Sequence, residues 1–267
     1  MLCAASRVPA ARIALSRATR LGPRSFSPSV RCAAAAMDKV EFGPSKLPGY
    51  EAGPKDAPGV IVLQEWWGIT PIIKEQALMI SKEGFRVLVP DLYKGKIGVD
   101  AEEASHLMNS LDFKGAVEEL KQAADYLRAT GAGRVGAVGM CMGGALAFAA
   151  AQHAGIDAAA PFYGIPDPAI CQPDSIKIPV QAHFGKLDSL TGFSDPESAQ
   201  KVFDKMKAAG CDVELFLYDG CGHAFLNALT DEGREKIKTI GQASPPEGEV
   251  KAAFERMVAF FKKHLAA

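Results

Sequence analysis

A cysteine between glycines is the strongest candidate for chemistry in this sequence. Gly139, Cys141 and Gly143 follow the pattern G-x-C-x-G between a predicted strand and a predicted helix. This is the nucleophile-elbow pattern with Cys where Ser is usual, and the small neighbours leave room for a strained turn. The helix N-terminus behind the sulfur favours a thiolate and a developing oxyanion. The alternative is a structural cysteine in a glycine-rich turn, because the pattern is short.

An acid and a histidine follow the cysteine in the order that nucleophile-elbow enzymes use. Asp188 comes just after the predicted strand 178–185, and His223 comes just after the predicted strand 212–219. Asp188 could instead cap a turn, and His223 could be a loop histidine without a role. Catalysis explains all three positions together: His223 would take the thiol proton while Asp188 orients the imidazole. The resulting thiolate would attack a carbonyl carbon and form an acyl-enzyme.

A glutamate and two tryptophans are expected close to the thiol. Glu65 ends the predicted strand 59–65, where a buried carboxylate is costly unless it is hydrogen-bonded or functional. In nucleophile-elbow folds the loop after this strand supplies the second oxyanion N–H, so Glu65 would lie beside the sulfur. A salt-bridged carboxylate at the rim is the alternative. Trp66 and Trp67 could wall an apolar pocket for a planar substrate, or could be simple rim packing.

Strands and helices alternate along the chain after residue 58, which predicts a single α/β domain. The predicted strands are 59–65, 85–90, 134–140, 157–163, 178–185 and 212–219. The predicted helices are 71–83, 101–130 with a break near 111–113, 142–153, 196–209 and an amphipathic helix over 250–265. The alternation indicates a mostly parallel sheet with helices on both faces. Ligands of such sheets bind beyond the carboxyl ends of the strands, where the candidate residues lie.

The composition is that of an ordinary globular protein. The 267 residues are 48% hydrophobic and 23% charged, with a formal net charge of −1, so disorder throughout is excluded. The near-zero net charge shows no excess of basic residues of the kind that binds nucleic acid. No apolar run reaches the roughly 18 residues that span a bilayer. Six cysteines without a CxxC pair do not make a disulfide scaffold or a zinc motif. We expect no nucleic-acid or membrane partner and, by default for this fold, a monomer.

The first 36 residues differ from the rest of the chain. They contain six arginines, no lysine and no acidic residue, which predicts an organellar transit peptide. A disordered basic tail is the alternative. Residues 30–32 resemble a plastid processing site and residues 24–26 a mitochondrial one, so a chloroplast is favoured and a mitochondrion is the alternative. The predicted mature domain, 37–267, would hold 24 basic and 31 acidic residues.

Several motifs together resemble the dienelactone hydrolase (carboxymethylenebutenolidase-like) family of α/β-hydrolases. They are QEWWG at 64–68, PDLY at 90–93, GMCMGG at 139–144, FYG at 162–164, FGKLD at 184–188 and GHAF at 222–225. The resemblance covers nearly all of residues 58–265. It implies a Cys141–His223–Asp188 triad that hydrolyses an enol-lactone or activated ester without a metal or other cofactor.

The same resemblance implies further roles around the nucleophile. Glu65 would hold the resting thiol and help to deprotonate it once substrate displaces it. The backbone N–H groups of Met142 and Trp66 would form the oxyanion hole. The substrate-binding candidates are Trp67, Tyr93, Lys94 and Phe225.

The sequence also departs from the family pattern at the substrate carboxylate. The founding bacterial enzymes bind that carboxylate with two arginines, at the positions of Gly95 and Asn227 here, and Ala224 replaces a serine. Lys94 or Lys96 could substitute, although a flexible ammonium is not a fixed bidentate fork. Because both arginines are missing, the resemblance does not by itself predict a carboxylated dienelactone as the substrate.

Three other functions are compatible with the same residues. The triad could serve a general esterase or thioesterase, because pocket details set the substrate. A hydrolase scaffold could also act as a receptor for a small butenolide-like molecule, with slow turnover or none. A low-pKa Cys141 could sense oxidants, whereas Cys171, Cys211 and Cys221 are better explained as ordinary thiols.

Overall fold

A computed structural model describes residues 37–266, so the predicted transit peptide lies outside the described residues. Eight strands lie in this part of the chain: β1 (Asp38–Phe42), β2 (Leu47–Ala52), β3 (Gly59–Leu63), β4 (Arg86–Pro90), β5 (Val135–Met140), β6 (Ala158–Phe162), β7 (Val180–Gly185) and β8 (Val213–Tyr218). They form one sheet in the order β1-β2-β4-β3-β5-β6-β7-β8. The helices are α1 (Pro71–Lys82), α2 (Ala101–Asn109), α3 (Phe113–Ala129), α4 (Met142–His153), α5 (Pro196–Ala208), α6 (Asp231–Thr239) and α7 (Glu247–Leu265). None of these helices is long and apolar enough to cross a membrane.

The predicted α/β architecture is confirmed. Strands β3 to β8 pair in parallel, and every residue of β3 to β7 is buried. Helices α3, α4 and α5 pack on one face of the sheet, and α1 and α7 pack on the other. Burial on both faces explains why these strands read as continuous apolar runs without alternation.

Three elements were not predicted. Strands β1 and β2 form an antiparallel hairpin at one edge of the sheet. Their charged residues and the Pro48-Gly49 pair obscure the strand pattern, because Pro and Gly are rare in strands. Helix α6 buries little besides Ile237 and Gly233, so it lacks an apolar stripe to read.

Glycines allow the turn between β5 and α4 to pass very close to neighbouring backbone. A Cβ on Gly139 would lie 2.0 Å from the carbonyl oxygen of Gly143. A Cβ on Gly144 would lie 2.3 Å from the carbonyl oxygen of Phe162. Because the obstructing atoms are backbone, they cannot rotate away, and the turn requires glycine at both positions.

Gly139→Ala is therefore expected to lower the free energy of unfolding by roughly 2–3 kcal/mol or more. The midpoint of urea unfolding checks this value. Gly248→Ala is the matched control, because an added Cβ there meets no atom within 4 Å and the residue lies in the first turn of α7. We expect the control to be neutral or stabilising, by at most about 1 kcal/mol. Equal midpoints for the two variants would contradict this account of the turn.

Candidate active site

Cys141 lies at the tip of the turn between β5 and α4. Its backbone adopts φ 56° and ψ −119°, a strained conformation that few non-glycine residues tolerate. The residue is 9% exposed and lines a cavity at the carboxyl ends of the strands. Met142 is the first residue of α4, so its N–H has no intrahelical acceptor. Trp66 follows β3, the strand paired beside β5, and lines the same cavity.

His223 and Asp188 meet although 35 residues separate them. The imidazole Nδ1 lies 2.8 Å from Oδ2 of Asp188, whose side chain is fully buried. The hydroxyl of Ser194 is 3.1 Å from the same nitrogen. The backbone N–H of His223 donates to Oε1 of Gln242 at 3.1 Å. Asp188 and Ser194 therefore hold Nδ1 of the ring, and Gln242 anchors the backbone of the same residue.

The environment of His223 favours the protonated imidazole. Burial alone would lower its pKa, but hydrogen bonds to Asp188 and Cys141 outweigh burial and raise the pKa to about 10. The negative charges of the same two groups act in the same direction. An imidazolium next to the sulfur stabilises a thiolate, as in other Cys–His pairs. This arrangement can supply a nucleophile at neutral pH.

Glu65 lies in the same cavity as Cys141, but its carboxylate is held by an amide. The Nδ2 of Asn227 lies 3.1 Å from each carboxylate oxygen. In turn, Oδ1 of Asn227 accepts a hydrogen bond from Nε2 of Gln76 at 3.1 Å. Glu65 is 2% exposed, so a salt-bridged carboxylate at the rim does not describe it.

The protonation of Glu65 is set by opposing effects. Burial raises its pKa above the usual value and is the largest effect. The hydrogen bond from Asn227 lowers it, as do the positive charges of His223 and Lys236. A carboxyl group of raised pKa beside a nucleophile is suited to proton transfer.

The cavity around Cys141 has a volume of about 430 Å³ and is mostly apolar. We call it the catalytic cavity. Its apolar walls include Trp66, Trp67, Met108, Leu190, Phe193 and Ile240. Lysine and arginine are absent from its lining within residues 37–266. A mostly apolar cavity without lysine or arginine suits an uncharged ligand.

The predicted substrate contacts are only partly brought to this cavity. Trp67 lines it, with the ammonium of Lys236 3.4 Å from the centre of its ring. Lys94 instead points to Glu119, with its Nζ 2.6 Å from the carboxylate, because the turn at 94–95 directs it to α3.

Tyr93 and Phe225 also lie outside the lining of the catalytic cavity. The Tyr93 hydroxyl contacts the sulfur of Met142 at 3.4 Å. Phe225 is 1% exposed and packs against the rings of Tyr163 and Tyr218. These two side chains support the walls around the elbow, and their placement does not favour direct substrate contact.

Several site residues were not identified from the sequence. At Asn227 the sequence indicates only that an arginine of the family pattern is absent. Ser194 belongs to none of the sequence motifs. Tyr163 has φ 35°, and its ring lies 5.2 Å from that of His223. Its hydroxyl is buried, and burial raises its pKa well above the usual value. The FYG segment at 162–164 is the sequence signal for Tyr163.

Cys171 and Cys221 are poor candidates for redox chemistry. Burial raises the pKa of Cys171 and of Cys221 to about 12 in each case. Thiols of such high pKa react slowly, because the thiolate is the nucleophile. No cluster of three metal-ligating side chains occurs within the described part of the chain.

Asn227→Leu is expected to move the acidic limb of the pH profile of ester hydrolysis to higher pH. The substitution removes the donor that stabilises the Glu65 carboxylate, so the pKa of Glu65 rises further and its charged form is lost at a higher pH. We expect kcat/KM to fall most on the acidic side of the profile, because a smaller fraction of Glu65 is charged there than in the wild type. The measurement is kcat/KM for p-nitrophenyl acetate from pH 5 to 9.

Asn109→Leu is the matched control for this prediction. Asn109 is exposed on α2, and its amide bonds to Ser105 of the same helix. We expect an unchanged profile for this control. An unchanged profile in Asn227→Leu as well would show that Glu65 does not need the amide.

Comparisons with known proteins identify the family. The model of the dienelactone hydrolase family matches residues 47–265. Protein usf of Aquifex pyrophilus is 35% identical over 245 residues, covering 86% of this chain and 98% of the relative. Carboxymethylenebutenolidase 1 of Cupriavidus pinatubonensis is 30% identical, covering 70% of this chain and 83% of the relative.

A solved structure supports the same fold. The crystal structure of a dienelactone hydrolase-like promiscuous phosphotriesterase from metagenomic libraries superposes with a TM-score of 0.69 at 21% identity. The match covers 88% of this chain and 100% of that one. The chain therefore belongs to the dienelactone hydrolase family and is a hydrolase of the α/β fold that this family shares.

Proposed function

We propose that this protein hydrolyses enol-lactones or small activated esters through an acyl-enzyme on Cys141. The observation that carries the proposal is the arrangement around the elbow. A strained cysteine immediately precedes α4, and His223 contacts it while bonded to Asp188 at 2.8 Å. This arrangement supports the roles of nucleophile, base and orienting acid for the three residues.

Acylation would begin with the thiolate of Cys141 attacking the carbonyl carbon. A carbon–sulfur bond forms, and the carbonyl oxygen becomes an oxyanion facing the N–H groups of Met142 and Trp66. The intermediate then collapses, and the bond to the leaving oxygen breaks. The imidazolium of His223 gives its proton to that oxygen, while Asp188 holds the ring in place. With a lactone the ring opens, and the freed enol remains attached through the acyl group.

Deacylation reverses the roles of the same groups. Neutral His223 takes a proton from a water molecule that attacks the thioester carbonyl carbon. The carbon–sulfur bond breaks, the acid product leaves, and the thiolate–imidazolium pair is restored. Glu65 lies in the same cavity, and its raised pKa suits it to return a proton to the thiolate between turnovers and to take that proton back when the next substrate arrives.

Steady-state hydrolysis tests this proposal. The full chain is mixed with p-nitrophenyl acetate and, separately, with an enol-lactone, and product is counted per enzyme molecule. We expect many turnovers by the wild type and a loss of turnover in His223→Gln. Release of no more than one product per chain with every ester and lactone would instead favour a receptor on a hydrolase scaffold.

A further inference from the structure

A second apolar cavity adjoins the catalytic cavity. It has a volume of about 290 Å³, and we call it the side chamber. Met108 and Phe193 line both cavities, so these two side chains form the wall between them. The remaining lining is contributed mainly by α4 and by the loop after β6, including Ala145, Leu146 and Ile170. The two cavities together are larger than a small ester needs.

The elbow lies at the boundary between the cavities. Cys141 and His223 line the catalytic cavity, whereas Met142, the residue after Cys141, lines the side chamber. When an ester carbonyl carbon is held at the sulfur, its oxygen lies at the Met142 N–H. The carbon carries two further substituents, the leaving oxygen and the acyl chain. The leaving oxygen must face His223, which gives it a proton, so it extends into the catalytic cavity. The acyl substituent points away from His223, towards the side chamber.

The chemistry of the side chamber selects the kind of acyl group. Its one charged lining residue among residues 37–266 is Asp167, whose Oδ1 accepts the N–H of Ala169 in its own turn. Lysine and arginine are absent from both linings in that part of the chain, and the imidazolium of His223 in the catalytic cavity is already paired with Asp188. Lys94 is paired with Glu119. A carboxylate on the acyl chain would lose its hydration without gaining a cation.

We propose that the side chamber is the acyl-binding subsite, and that the preferred substrates are neutral esters with an apolar acyl chain of medium length. This inference rests on the proposed function. It adds a substrate class and two separating residues, Met108 and Phe193, to the catalytic account. Each methylene that enters the chamber leaves water, which favours binding by about three- to fourfold per methylene.

A chain-length series at constant leaving group tests the subsite. The full chain is assayed with p-nitrophenyl acetate, butyrate and hexanoate, and with the mono-p-nitrophenyl ester of adipic acid. We expect kcat/KM to rise at least tenfold from acetate to hexanoate. We expect the adipate ester, which carries a carboxylate on a chain of the same length, to fall at least tenfold below hexanoate.

Two variants fill the chamber from opposite walls. Ala145→Phe on α4 and Ile170→Trp in the loop after β6 should each lower the hexanoate-to-acetate ratio of kcat/KM at least fivefold. Ala129→Phe is the matched control, because Ala129 is an exposed helical alanine that lines neither cavity. We expect this control to keep the wild-type ratio. The ratio does not depend on the fraction of folded protein, so partial misfolding of one variant does not obscure the result.

The outcomes separate the subsite from the proposed function. A wild type that turns over esters without preferring hexanoate, or with the same preference in both filling variants, overturns the subsite alone. Faster turnover of the adipate ester than of hexanoate overturns the neutral substrate class. A wild type that turns over no ester in the series overturns the proposed function and the subsite with it.

Discussion

Cys141→Ala is expected to lower kcat/KM for ester hydrolysis by about 10⁴-fold or more while leaving the fold intact. Loss of the nucleophile removes the acyl-enzyme route, and the oxyanion donors alone give little rate. The side chain is small and 9% exposed, so its removal leaves little cavity. The measurement pairs steady-state kinetics with the midpoint of thermal unfolding.

Cys141→Ser separates a nucleophile from a structural cysteine. A serine hydroxyl is far less acidic than a thiol, and the surroundings of Glu65 and His223 suit a thiolate. We therefore expect Cys141→Ser to be much weaker than the wild type. Wild-type rates in this variant would discard the thiolate mechanism. An unfolded Cys141→Ala would favour the structural cysteine that the short G-x-C-x-G pattern also allows.

Asp188→Asn is expected to lower kcat by about 10³- to 10⁴-fold, the cost of neutralising the orienting acid in comparable triads. The substitution keeps the shape of the side chain but removes the charge that supports the imidazolium. The hydrogen bonds of His223 to Asp188 and Cys141 hold the pKa of His223 at about 10 against the effect of burial. Removing the carboxylate lowers that pKa, so less of His223 is present as the imidazolium that protonates the leaving oxygen.

Alkylation by iodoacetamide reports this change independently of turnover. From pH 6 to 9 the alkylation rate of Cys141 should rise more steeply with pH in Asp188→Asn than in the wild type, because the variant holds less imidazolium beside the sulfur. Asp204→Asn is the matched control, because Asp204 is exposed on α5 and bonds to Gln200. The same pH dependence in all three proteins would contradict the role of Asp188.

Local sequence signals were sufficient for the elements that carry the candidate triad. Helix α4 begins at Met142 and ends at His153 as predicted, because the glycine-rich turn and the run of small residues mark it. The loops after β7 and β8 bring Asp188 and His223 together, since neighbouring parallel strands end at the same edge of the sheet. Each of these inferences depends on residues close in sequence and on the general rules of parallel sheets.

The contacts that sequence reasoning missed join residues far apart in the chain. Asn227 bonds to Glu65 across 162 positions, and Gln76 supports it from α1. No local pattern pairs a glutamate with an amide. Lys94 was expected at the substrate, but a neighbouring acid, Glu119, holds it outside the catalytic cavity. A side chain's direction depends on such partners, which composition and periodicity do not reveal.

The side chamber could not be read from the sequence for a similar reason. Its walls come from α2, α3, α4 and two loops, and apolar residues at these positions look the same as ordinary core residues. Helix α6 and the loop after it, which place Ile240 and Gln242 in the catalytic cavity, were not predicted at all. The identity of a pocket wall is a property of the assembled fold.

The most direct test of the central claim is the covalent intermediate itself. The full chain is mixed with p-nitrophenyl acetate, quenched with acid within the first turnovers, and digested for peptide mass spectrometry. We predict a transient acetyl group on the peptide that carries Cys141, and its absence in Cys141→Ala. Turnover by the wild type with an acetyl group on a different residue, or with no covalent intermediate at all, would contradict the account.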